Sequence, residues 1–280
     1  MSGRFCSAII NQKTIKMIRL PLPIVPEQQR IVARLEALLG EVNALREEVQ
    51  SMRRDLAQVM ESAMVEVFPN PQGELPQGWE WKQISDVAQD TNRKNPSARP
   101  DKSFSYVDIA AIDNKNYCIH LEGVKEIQGK GAPSRARKVI KANDIIFATT
   151  RPYLKNIAIV PQGLDNQICS TGFCVLRAKP DKVIHEYLFF AVLTNSFINQ
   201  LIPKGANYPA VNDSDIYQAI IPIPCPDEPV CSLTEQRRIV SYLNRIAEET
   251  RAMDALLEHD LRDLDALEQS ILAAAFRGEM

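Results

Sequence analysis

The chain's 280 residues, 45% hydrophobic and 24% charged, suffice for one good-sized domain with extensions or for two small ones. A net charge of -2 excludes a strongly basic protein, and no apolar run reaches the ~18 residues of a membrane span. No apolar stretch precedes a small-residue cleavage site at the N-terminus, so a reducing cytoplasm is the expected compartment.

In chain order, residues 1–26 come first, a short segment ending in Leu20-Pro21-Leu22-Pro23. From 27 to 68 the pattern changes. Ile31, Leu35, Leu38, Val42, Leu45, Val49, Met52, Leu56, Val59 and Ala63 alternate steps of four and three, the a/d seam of a coiled coil. Pro26 and Pro69 bracket a proline-free run, and a helix of that length would extend ~63 Å. Leu75-Pro76-Gln77-Gly78-Trp79-Glu80-Trp81 then ends the rod and opens a different kind of sequence. Strand-like runs rich in Val, Ile, Phe and Thr follow at 104–112, 124–127, 139–149, 156–160 and 168–176. The stretch 183–201 has helical spacing, and Ile220-Ile221-Pro222-Ile223-Pro224 is extended. Residues 69–234 therefore read as an α/β (α+β) domain with its connecting segments.

A second rod occupies 235–280 and keeps the register of the first through Leu243, Ile246, Met253, Leu257 and Leu264, with Thr250 and Asp260 interrupting it. Asp260 in a seam would set register at a cost in stability, or face an arginine of its partner. Leu256 and Leu261 lie beside the seam and would widen it. Thr234 is the expected N-cap and Gly278 the expected stop. Neither helix can bury its stripe alone. The expected arrangement is two long helices flanking the domain and pairing as an antiparallel coiled coil through Leu35, Leu38, Leu45, Val49 and Leu56 of one and Leu243, Ile246, Met253, Leu257 and Leu264 of the other.

The rods are copies. Glu27-Gln28-Gln29-Arg30-Ile31-Val32 returns as Glu235-Gln236-Arg237-Arg238-Ile239-Val240, 208 residues later. Ile10-Asn11-Gln12-Lys13-Thr14-Ile15 matches Val211-Asn212-Asp213-Ser214-Asp215-Ile216, and Leu20-Pro21-Leu22-Pro23 matches Ile221-Pro222-Ile223-Pro224. Residues 1–26 thus resemble the tail of a second domain of the same kind whose body is absent.

These motifs, with the C-terminal Leu267-Glu268-Gln269-Ser270-Ile271-Leu272-Ala273-Ala274-Ala275-Phe276-Arg277-Gly278 and the Gly205-Ala206-Asn207-Tyr208-Pro209 segment, resemble the specificity (S) subunit of type I restriction–modification enzymes. The resemblance spans the chain and implies a target recognition domain that reads one half of a split site in double-stranded DNA. It implies helices that space two such domains and dock methyltransferase (M) subunits, with the restriction (R) subunit joining through the complex. The family pattern has two recognition domains and this sequence has one. A homodimer, a pairing with a separate N-terminal half, and a nonfunctional remnant of a split gene all fit that departure, as does a coiled-coil scaffold that does not bind DNA.

No catalytic constellation stands beside this. The chain has no Asn/Asp-Pro-Pro-Tyr/Phe methyltransferase loop, no phosphate loop and no Gly-x-Ser-x-Gly elbow. Six cysteines without a Cys-x-x-Cys pair and three histidines suggest reduced thiols, so no metal and no cofactor is expected. The expectation is a non-enzymatic subunit. Charge is partitioned: residues 79–224 hold 18 Lys/Arg against 14 Asp/Glu, while each rod is net acidic. The candidate DNA contacts are Arg93 and Lys94 before Pro96; Arg135, Arg137 and Lys138 after Gly131; Arg151 and Lys155 around Pro152-Tyr153; and Lys204, Asn207 and Tyr208 in the Gly205 loop. Lys and Arg suit phosphates, and Arg, Lys, Asn and Gln suit base edges. Each one alone reads equally as a solvated surface charge.

Overall fold

The computed structural model describes residues 22–280; the expected tail match at 10–15 lies outside them. Along the chain, two long helices, α1 (Val25–Val67) and α6 (Pro229–Arg277), precede and follow a mixed α/β region. Contacts divide the chain into two units: the chain up to Leu56 together with Arg251–Met280, and Ala57–Thr250.

The larger unit is organised by a four-stranded sheet in the order β2 (Ala88–Gln89), β11 (Phe173–Ala178), β8 (Ile145–Ala148), β9 (Ile157–Ile159). Its central strands are apolar at every position of β8 and over Phe173–Leu176 of β11, because both faces are covered there. Ile145 and Phe147, with Cys174 and Leu176, face one apolar cluster, while Ile146, Ala148, Phe173 and Val175 face another. The first cluster also takes in α3 (His185–Leu193) and the adjoining rod turns, with Ala63 and Met64 from α1, Phe68 just after it, and Ile239, Val240 and Leu243 from α6. The Phe68 and Tyr187 rings lie 5.2 Å apart between centroids. A second four-stranded sheet runs β6 (Lys125–Gln128), β3 (Ser103–Val107), β10 (Ile168–Ser170), β7 (Ala136–Val139). Only the β3–β10 pairing within these sheets is parallel.

The Ile-Pro-Ile-Pro lead-in is β12 (Ile220–Pro224), antiparallel to β1 (Trp79–Gln83) with Trp81 opposite Pro222. A two-stranded ribbon tolerates prolines because each strand needs donors on one side only. Ile221 and Ile223 are buried, and the Pro222 carbonyl accepts the Tyr187 hydroxyl at 2.8 Å.

The duplicated Glu-Gln-x-Arg motif makes the same local bonds twice. Arg30 grips Glu27 through two hydrogen bonds of 2.9 and 2.6 Å, and Arg238 grips Glu235 at 2.9 and 2.7 Å. Gln28 donates to the Pro23 carbonyl. Its copy, Gln236, is fully buried, donating to the Lys182 carbonyl and the Ser232 hydroxyl and accepting the Ile184 N–H. That last N–H precedes α3, so one buried amide ties the second rod to a helix end.

Several local features differ from the sequence expectation. The run 168–176 splits into β10 and β11 at Thr171-Gly172, which sends its halves to different sheets. The helix expected over 183–201 breaks at Thr194, whose hydroxyl donates to the Ala191 carbonyl and accepts the Phe197 N–H to start α4 (Asn195–Ile198). Thr234 is not a cap: α6 already begins at Pro229, and the Thr234 hydroxyl donates back to the Val230 carbonyl. Gly278, with φ 75°, ends α6 as expected, with the N–H groups of Gly278 and Glu279 returning to Ala275 and Ala274.

The seam residues also divide. Val42, Val49, Leu243 and Leu257 are buried, and Leu35, Leu38, Leu56, Ile246 and Leu264 are half-buried. Leu45 and Met253 are each 49% exposed. Their neighbours Arg46 and Asp254 turn inward instead, as do Arg53, Leu261 and Glu268, while Asp260 and Leu256 face solvent. The period of seven persists, but every second inward place has moved one residue along. Charge across the helices accounts for it. Arg46 bonds Asp265 at 2.9 Å and Glu268 at 2.7 Å, and Arg53 bonds Asp254 at 2.7 Å. Arginine can lay its stem on apolar surface while its fork reaches a carboxylate.

Candidate nucleic-acid interface

Two loops of the larger unit are stitched together at one end of β8. The segment leaving β8 is Thr149-Thr150-Arg151, followed by a tight turn over Pro152–Leu154. The other loop is 204–211, closed on itself by two hydrogen bonds between the backbones of Lys204 and Ala210, 2.8 and 2.9 Å. Val211 donates to the Thr149 carbonyl at 3.0 Å and Arg151 to the Pro209 carbonyl at 2.7 Å. Gly205 has φ 106°, and a Cβ there would sit 3.3 Å from the Tyr208 carbonyl oxygen. Glycine is what lets this loop close.

Arg151 is the centre of the arrangement. Its backbone is left-handed, φ 51° and ψ 59°, a conformation that costs a residue with a Cβ and persists only where neighbours enforce it. One terminal nitrogen, Nη2, donates to the Asn207 carbonyl at 3.2 Å, and the guanidinium carbon lies 5.0 Å from the centroid of the Tyr208 ring. Tyr208 is 71% exposed. Lys155 is left-handed as well and half-buried. Burial pulls its ammonium below the ordinary lysine range, and Glu61 partly opposes that shift.

A second basic group lies along β7. Arg93 forms an isolated bridge with Lys138, and Lys94 donates its N–H to the Arg137 carbonyl. Arg135 is exposed, and its carbonyl accepts the Thr171 N–H, while the neighbouring Gly172 carbonyl accepts the N–H and the hydroxyl of Thr149. This ladder brings Arg135 to the same end of the sheets as Arg151. The Arg137 guanidinium folds back on the Pro133 and Ala136 carbonyls.

Lys138 departs from the expected surface position. Its side chain is 1% exposed, bound to the Phe173 carbonyl at 2.7 Å and paired with Asp213. Strand alternation explains this, since Ala136 and Lys138 share the inward face of β7. Asp213 also lies 3.7 Å from Arg93 and begins α5 (Asp213–Gln218), directly after the stitched loop. The sequence reading missed Asp213 because it entered only as part of a repeat, and in the first copy Gln12 takes its place. Lys204, Asn207, Lys94 and Arg93 are exposed.

Among the described residues no group of three or more His, Cys, Asp or Glu side chains is placed to hold a metal ion, and no helix is long and apolar enough to cross a membrane. The described cysteines form no disulfide, and burial pushes the Cys169 thiol up to about 12.

Residues 76–258 match the family described as the type I restriction modification DNA specificity domain. The EcoDI specificity subunit of Escherichia coli is 23% identical over 97% of this chain and 64% of its own length. The HindI specificity subunit of Haemophilus influenzae is 29% identical over 41% of this chain and 25% of its own. Among solved structures, the HsdS subunit from Thermoanaerobacter tengcongensis is similar with a TM-score of 0.63 and 45% identity, covering 72% of this chain and 50% of that one. The chain thus matches 64% of the length of the EcoDI subunit, half of the HsdS subunit and a quarter of the HindI subunit.

Proposed function

Because this chain belongs to the type I restriction–modification DNA specificity family, we propose that it is a non-catalytic subunit that recognises a specific sequence in double-stranded DNA. The observation that carries this reading is the stitched pair of loops, which gathers Arg151, Asn207, Tyr208 and Lys204 at one end of a buried sheet, with Arg135, Arg93 and Lys94 on the connected edge. Cations that are exposed and held by a rigid scaffold suit phosphates, and the polar side chains among them suit groove edges. Lys138 is outside the proposed DNA face, and Arg137 and Lys155 stand at its margin.

This recognition domain reads one half of a bipartite site. The other half comes from a second copy or from a separate N-terminal half. The rods pair as an antiparallel coiled coil and dock M subunits, and the R subunit joins through that complex. Support for the pairing lies in the order of the bonds. Arg30 reaches the Met280 carbonyl, Arg46 reaches Asp265 and Glu268, and Arg53 reaches Asp254, one number rising as the other falls.

The test is duplex binding as a function of salt, together with co-purification of M subunits. Binding should be confined to DNA of one sequence and fall steeply with salt. Replacing Arg135 and Arg151 with Ala should abolish it. Unchanged affinity in that variant would favour a coiled-coil scaffold that binds protein instead.

A further inference from the structure

We infer that Arg151 is the residue with which this chain reads a base edge, a guanine in the major groove, while Arg93, Lys94, Arg135 and Lys204 hold phosphates. The inference rests on the DNA-recognition reading above and divides labour within it. Reading a base needs a planar donor fork held still at a fixed depth, whereas a phosphate contact needs only charge on a stem that can follow the backbone.

Arg151 alone among these cations is immobilised from both ends. Its main chain is locked in the left-handed region and tied to Pro209, while its fork is tied to the Asn207 carbonyl and laid across Tyr208. Its Nε is enclosed without a hydrogen-bond partner among the described residues, so the fork cannot swing without moving the loop. It is held by a carbonyl and an aromatic face in place of a carboxylate, so its full charge remains available. Arg93, by contrast, shares Asp213 with Lys138. Lys94 and Lys204 are exposed lysines, point charges on flexible stems. An arginine fork pre-set in this way matches two adjacent acceptors on one base edge, and guanine O6 and N7 are that pair. Tyr208 positions the fork from below, and Gly205 positions Tyr208.

The experiment selects duplexes from a randomised pool with the full chain, then measures affinity against salt for the selected duplex and a scrambled one. Arg151→Lys and Arg151→Ala should each lose about 10- to 100-fold in discrimination, confined to one G·C pair. Their slopes of log affinity against log salt should stay within ~0.3 of wild type. Lys94→Ala should keep the selected sequence and lower the slope by about 0.9. The inference is overturned if Arg151→Lys retains the full preference, or if Arg151→Ala weakens both duplexes equally and lowers the slope as Lys94→Ala does. A wild-type chain that enriches no sequence sinks the DNA-recognition reading itself, a result distinct from either of those. Melting temperatures of both Arg151 variants within a few degrees of wild type would exclude misfolding, and Arg151→Lys preserves charge if Arg151→Ala does not fold.

Discussion

In the rods, Arg53 meets Asp254 with 27% and 30% of the two side chains open to water, whereas in the domain Lys138 meets Asp213 with only 1% of its own exposed. The geometry is alike and the physics is opposite. Water screens the rod pair, so it sets register and contributes little stability. The domain pair carries the desolvation of an ammonium, and Lys138 left alone is a buried charge. The rods use ions to choose a neighbour, and the domain uses one to fasten a loop.

That difference can be broken most sharply at Asp213. Asp213→Ala should cost about 3–5 kcal/mol in urea denaturation, because the Lys138 ammonium stays buried without its carboxylate. The double variant Lys138→Met, Asp213→Asn should recover most of the loss; if it does not, desolvation of Lys138 is not the cause. Next comes Val49→Asp, which places a carboxylate at a buried seam position and should cost about 2–4 kcal/mol, read as loss of helical signal on heating. Arg53→Ala should cost at most ~1 kcal/mol, and that small loss should shrink further in 1 M salt. Leu45→Asp, at a half-exposed site, should change stability by under ~0.5 kcal/mol. If Leu45→Asp melts the rods as far as Val49→Asp does, the seam runs through the apolar stripe and the inward arginines are incidental.

Periodicity made both rods legible, and duplication made the architecture legible, because a repeat of seven and a repeat of 208 residues survive any detail of packing. What periodicity could not show is which of two adjacent residues faces inward. Leu45 and Arg46 both satisfy a heptad, and the choice depends on Asp265 and Glu268, more than 200 positions away. Lys138 was misplaced for a related reason. Read along the chain it completes Arg135-Ala136-Arg137-Lys138, a basic cluster; read by strand alternation it shares a face with Ala136. Its partner follows a loop whose closure depends on Gly205. Arg151 was legible as a cation between strands, but its left-handed backbone was not, since no glycine or asparagine marks the position.

The four backbone hydrogen bonds that close the 204–211 loop and sew it to Thr149 and Arg151 impose a grammar on change at this end of the domain. Letters are freer: Asn207 and Lys204 are exposed, and a new side chain there breaks no main-chain bond. Spelling length is not free. One residue inserted between Lys204 and Ala210 would slide the loop past both anchors and carry Arg151 with it. Lineages that acquire new targets should therefore diverge by substitution within these two segments together, and by insertion only outside them.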